Sequence, residues 1–129
     1  MSSRFLLDTN IVIASFEGDS SVEEHYVWAE AIYVSSPTIG ELYYGAYKSG
    51  RVAANLARLE EFIAETNVLE CDTATAKYYG QIRNSLRSRG RPISENDMWI
   101  AAVAMQYQLT LVSRDIHFQY IDGLLLERW

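Results

Sequence analysis

The apolar residues of this chain fall into short unbroken runs separated by amphipathic stretches. Phe5-Leu6-Leu7 is such a run, and it ends abruptly in Asp8-Thr9-Asn10. A continuous apolar run with no polar alternation is what a strand buried on both faces looks like, and such strands belong to parallel sheets covered by helices. Further short runs predict strands at 31–35, 68–71, 109–112 and 124–126. Between them, Ile11-Val12-Ile13-Ala14 opens a first helix or a turn into one. After a loop at 17–21, Ser21 is placed to cap a helix over 22–30, with Glu23 and Glu24 near the positive end of its dipole. Ser36-Pro37 starts a helix that carries Glu41, Leu42, Tyr43, Tyr44 and Tyr47 and stops at Gly50. Residues 51–65 set Leu56, Leu59, Phe62 and Ile63 on one face of an amphipathic helix. Asp72 or Thr73 caps a long helix over 74–88, which Gly90 and Pro92 end. Residues 98–105 are apolar on every side and should form the central buried helix. Strands and helices alternate on short connections, which predicts an α/β fold with a mainly parallel sheet.

Composition narrows the reading. The 129 residues are expected to form one domain, large enough to bury about two-thirds of the unfolded surface without staples. One cysteine, Cys71, excludes an internal disulfide and fits a reducing cytoplasm. Asp8 to Asn10 interrupts the amino-terminal apolar run, so there is no signal-peptide core, and nowhere do about 20 apolar residues follow one another. A soluble, cytoplasmic protein that spans no membrane is the expectation. The net charge of −6 argues against holding nucleic acid by bulk attraction, since that mode needs a basic face to displace counterions. Acidic charge gathered in a pocket would instead take a divalent cation, which could itself attract phosphate.

Four acids are placed to share such a pocket. Asp8 ends the first strand, Glu41 lies in the early turns of the helix after the second, Asp97 sits at the mouth of the buried helix, and Asp115 follows the fourth strand. All four fall at the carboxyl edge of a strand or in a neighbouring first turn, where open α/β sheets bind ligands. If the fourth strand pairs with the first, Asp8 and Asp115 face one another. Carboxylates that close repel and hold protons unless a cation is present. Oxygen-only donors suit a hard ion, magnesium or manganese, that keeps several waters. Each acid taken singly also has an ordinary structural reading. Asp8 and Asp115 can form turns, Asp97 fits the capping-box pattern Ser94-x-x-Asp97, and Glu41 can be a solvated helix residue. Asp72, at the end of a strand expected at the sheet's edge, reads as a helix cap only.

The residues also resemble a known family. Leu6-Leu7-Asp8-Thr9-Asn10, Thr38-Ile39-Gly40-Glu41-Leu42 with Tyr44-Gly45, Asn96-Asp97-Met98-Trp99-Ile100-Ala101-Ala102, and Leu111-Val112-Ser113-Arg114-Asp115 with His117-Phe118 occur in the order found in PIN-domain nucleases. Within that family the chain resembles the VapC-like toxins of toxin–antitoxin pairs. The resemblance implies an α/β/α sandwich with five strands ordered 3-2-1-4-5. It also implies Asp8, Glu41, Asp97 and Asp115 as catalytic, magnesium-binding carboxylates, with Ser113 orienting a water or ligand. It further implies RNA as substrate, cut to leave a 5′ phosphate and a 3′ hydroxyl, a homodimer, and a cognate antitoxin segment lying in a groove near the pocket. A metal-activated water would attack the phosphodiester without a protein nucleophile.

The alternative is a catalytically inactive PIN-fold module that binds RNA or protein. A phosphate-accepting signalling domain also gathers acids at strand ends, but here Leu7 precedes Asp8 and no lysine follows Lys77. Lys77, Arg83, Arg87, Arg89 and Arg91 gather on the long helix and the loop after it, with Arg83 and Arg87 on one face, either solvated or in contact with phosphate. Tyr43, Tyr44 and Tyr47 read as packing residues of a core or partner interface, and neither His25 nor His117 is assigned a catalytic role.

Overall fold

In the computed structural model, which describes residues 3–129, the apolar runs become a five-stranded sheet in the order β3-β2-β1-β4-β5. The strands are β1 (Arg4–Leu7), β2 (Ala31–Ser35), β3 (Asn67–Leu69), β4 (Thr110–Val112) and β5 (Leu126–Glu127). Every neighbouring pair is parallel. The helices are α1 (Thr9–Phe16), α2 (Ser20–Trp28), α3 (Ser36–Tyr47), α4 (Val52–Glu65), α5 (Thr73–Ser88) and α6 (Glu95–Gln106), with a short 3-10 helix at Ile116–Tyr120.

Strand β1 lies at the centre, paired with β2 on one side and β4 on the other. Its residues alternate between two cores, as the pleat requires. Leu6 joins Leu111, α5 and α6 through Ile82, Leu86, Ile100 and Val103. Phe5 and Leu7 join Val112, α1, α3 and α4 through Ile11, Val12, Leu42 and Leu59. The sheet is therefore the middle layer of an α/β/α sandwich, the architecture expected. Each fully buried leucine or isoleucine here stabilises the fold by roughly 1.5–3 kcal/mol. Helix α6 has Ile100 to Ala104 all buried, so it packs on every side, as its unbroken apolar run implies.

Local chemistry corrects several expected boundaries. Asp19, not Ser21, caps α2, its carboxylate accepting from Val22 N at 3.2 Å. Ser35, not Ser36, caps α3 by accepting from Thr38 N at 3.4 Å, with Pro37 in the first turn. That helix ends at Tyr47 rather than at Gly50. Strands three and five are also shifted from 68–71 and 124–126. β5 is set by pairing with β4, Leu111 N donating to Leu125 O at 2.8 Å and Ser113 N to Glu127 O at 3.1 Å. No helix of the described residues is long and apolar enough to cross a membrane.

Candidate active site

Four segments reach the carboxyl edge of the sheet beside β1. Asp8 follows β1 directly, and its backbone N–H still donates to Val112 O of β4 at 2.9 Å, so its position is fixed by the sheet itself. Its side chain caps α1, accepting from Thr9 N at 2.9 Å, and also accepts from Ser113 Oγ at 2.7 Å. The capping and site readings of Asp8 thus coexist in one carboxylate. Only 4% of the residue is exposed, and burial pushes its carboxyl up to about 6, against the two hydrogen bonds and with help from the charges of Asp97 and Glu41.

Glu41, one turn into α3, accepts from Thr9 Oγ1 at 2.6 Å. Thr9 Oγ1 also lies 3.3 Å from Thr38 Oγ1, and the buried Ser35 hydroxyl stands 3.4 Å behind it, so a row of hydroxyls runs from β2 to this acid. Asp97 lies in the first turn of α6, where its backbone N–H donates to the Ser94 cap at 3.2 Å. Its carboxyl is raised by burial, opposed by the Ser94 hydrogen bond, and raised further by Asp115 and Glu41. The two helix starts are tied together, Asn96 Nδ2 donating to Pro37 O at 3.5 Å.

Asp115 is arranged differently from the expectation. The group facing Asp8 across the β1–β4 pair is Ser113, not Asp115. Asp115 caps the 3-10 helix instead, accepting from His117 N at 2.9 Å, with His117 Nδ1 2.7 Å from the same oxygen. Its own backbone N–H donates to Ser113 Oγ at 3.0 Å, so Ser113 joins Asp115 to Asp8, while the charge of Asp115 is felt at Asp97. Asp72 stands apart in a capping box with Thr75, the role expected of it.

Among the described residues no basic side chain forms an ion pair with Asp8, Glu41 or Asp97. Nor do three acidic, histidine or cysteine side chains already converge there as a closed metal cage. What is present is an open edge of carboxylates and hydroxyls whose two most buried acids are raised above the ordinary carboxyl range by burial first and by the charge of neighbouring acids second. That donor chemistry fits a hard divalent ion which retains much of its water.

Sequence reasoning missed Thr9 and Thr38 as neighbours of the acids. Both stand inside the motifs that carry the resemblance, but a hydroxyl contact across 32 residues leaves no periodic signal.

Comparison with known proteins agrees with the architecture. Residues 5–124 match the PIN domain family. The tRNA(fMet)-specific endonuclease VapC of Shigella flexneri is 38% identical over 129 residues, covering 98% of both chains. Ribonuclease VapC2 of Haemophilus influenzae is 36% identical, again over 98% of each. Among solved structures, VapBC2 of Rickettsia felis bound to a DNA fragment from its promoter superposes with a TM-score of 0.91 at 30% identity, over 97% of this chain and 98% of that one. DNA-bound VapBC of Salmonella typhimurium gives 0.91 at 35% identity, over 100% and 99%.

Proposed function

The chain belongs to the PIN-domain family, among its VapC ribonucleases, and from that membership and the acid edge we propose a divalent-metal-dependent endoribonuclease acting as the toxin of a toxin–antitoxin pair. The observation that supports it most is Asp8, a buried carboxylate at the centre of the sheet, unpaired with any cation among the described residues and pushed up to about 6. Structural caps gain from ionisation. Asp8 instead keeps its charge at a cost that a dication would offset.

In this reading Asp8, Glu41, Asp97 and Asp115 hold magnesium, with manganese as substitute. The ion, when bound, supplies a more acidic water and charge compensation for the phosphodiester. The chain's residues do the positioning. Ser113 and the Thr9 N–H hold the two Asp8 oxygens, Thr9 Oγ1 holds Glu41, and Asp115 is steadied by the 3-10 turn and His117. Any of the acids whose carboxyl is raised can accept the water's proton. Asp8 and Asp97 are the two placed for it.

The proposed partner is an antitoxin. A groove of about 260 Å³ runs beside Glu41, with Ile13, Phe16, Leu42 and Leu59 in its walls and Arg58 at its rim. It suits an apolar segment that carries a basic side chain into the acids. One domain over 1–129, acting as a homodimer, completes the proposal.

The direct test is cleavage of total RNA with and without magnesium by the parent chain, Asp8→Asn and Asp97→Asn. Magnesium-dependent cutting by the parent, reduced at least a hundredfold in both variants with unchanged circular dichroism, is the expected result. Binding of RNA without cutting by the parent would favour the inactive-module alternative.

A further inference from the structure

A pocket that is itself negative, in a chain of net charge −6, needs a local way to hold a polyanion. The geometry around the start of α6 offers one. Helices α5 and α6 run antiparallel: Asp72, the cap of α5, accepts from Gln106 at the end of α6, and Tyr79 donates to Glu95 at its beginning. The last turns of α5 are thereby brought to the helix start that carries Asp97, with Arg83 and Arg87 on them and Arg91 on the loop beyond.

Two clefts open there. One, of about 460 Å³, lies between the helices with Arg83, Arg87, Glu95 and Met98 in its lining. The other, about 220 Å³, is lined by Arg91, His117 and Tyr120. Both include Gly90 and Pro92, so they lie against the same loop. Neither is lined by the four acids themselves, but each has a lining residue next to one of them. Glu95 stands in the same first turn as Asp97, and His117 contacts Asp115.

Arg87 and Arg91 are not paired with acids among the described residues. The Arg87 side chain forms no ion pair among the described residues, while its backbone carbonyl accepts from Gly90 N at 3.1 Å. Arg83 is held more closely: it donates to Tyr79 Oη at 2.8 Å and lies 3.8 Å from Glu95, although with both charged side chains more than 60% exposed that ion pair is worth little. Arg91 lies over the Tyr120 ring at 4.5 Å, which leaves its in-plane N–H groups free for phosphate oxygens.

We infer that these two clefts, set against one loop, form the track for the sugar–phosphate backbone of single-stranded RNA, with Arg87 and Arg91 contacting phosphates on the strand that flanks the cut bond. The inference rests on RNA being the substrate. It assigns specificity for a single strand to a bend around Gly90 and Pro92 that a stiff duplex does not follow.

The test uses the cleavage-silent Asp8→Asn chain and a fluorescein-labelled single-stranded RNA oligonucleotide, read by fluorescence anisotropy across a salt series. Adding Arg87→Gln and Arg91→Gln should weaken binding about tenfold at low salt and flatten the log–log salt slope by about 1.4, near 0.7 per lost contact. In the active chain the same pair should raise KM and leave kcat nearly unchanged. Lys48→Gln with Arg51→Gln, which removes the same charge elsewhere, should leave the slope unaltered. Equal losses in both pairs, or no loss in either, would overturn the track. So would a change of oligomeric state by light scattering without a change in slope, which would make the cleft a protein interface. Whether the parent cuts RNA at all is read before any arginine is replaced, so the two proposals fail separately.

Discussion

Burial makes Asp8 a side chain whose ionisation costs the fold stability. Its carboxyl, near 6, keeps its proton over a range in which an ordinary carboxyl near 3.8 has lost it. Between those values the folded state binds more protons than the unfolded chain. Stability therefore falls as pH rises from about 4 to about 6 and stays lower above. The gap corresponds to roughly 3 kcal/mol. Asp8→Asn removes that penalty and still caps α1, because asparagine is as good a cap. Metal-free denaturant melts at pH 8 should show the variant more stable by about 1–3 kcal/mol, the difference closing near pH 4. A variant no more stable than the parent at pH 8 contradicts the assignment of the raised carboxyl.

At the scale of elements, two acids at strand ends separate by what they hold. Asp72 accepts from Thr75 N at 3.0 Å and from Gln106 Nε2 at 3.0 Å, and these bonds hold its carboxyl below the usual range. Asp72→Ala removes the cap of α5 and should lower the midpoint of a thermal melt while leaving RNA cleavage within twofold of the parent. The elements that could be read from the chain were those whose signal is local. β2 and α6 follow from one apolar run each and the α/β class from the alternation of strands and helices, whereas the sheet order was implied by the family resemblance alone. Elements fixed by distant partners were not legible in the same way. Leu124-Leu125-Leu126 looks like a strand, yet Leu125 is 55% exposed, and pairing with β4 selects Leu126–Glu127 instead. The 3-10 helix at Ile116–Tyr120 has no periodicity to show, since its cap is Asp115, an acid already expected elsewhere. Likewise Ser113 rather than Asp115 faces Asp8, because one extra turn after β4 carries the acid sideways.

For the whole molecule, binding of a dication should appear as stability. Magnesium at a hundred times its dissociation constant would add about 2.7 kcal/mol to the folded state, so the melting temperature should climb with magnesium in the parent and stay flat in Asp97→Asn. The acids that would hold it come from strand β1, helix α3, helix α6 and the turn after β4, segments that span the chain from residue 8 to residue 115. Strand β1, made first, sits between β2 and β4 and cannot complete its pairing until residue 112 has arrived. A ribosome must therefore release most of the polypeptide before the pocket exists. A stalled or truncated translation product carries every early motif and none of the harm.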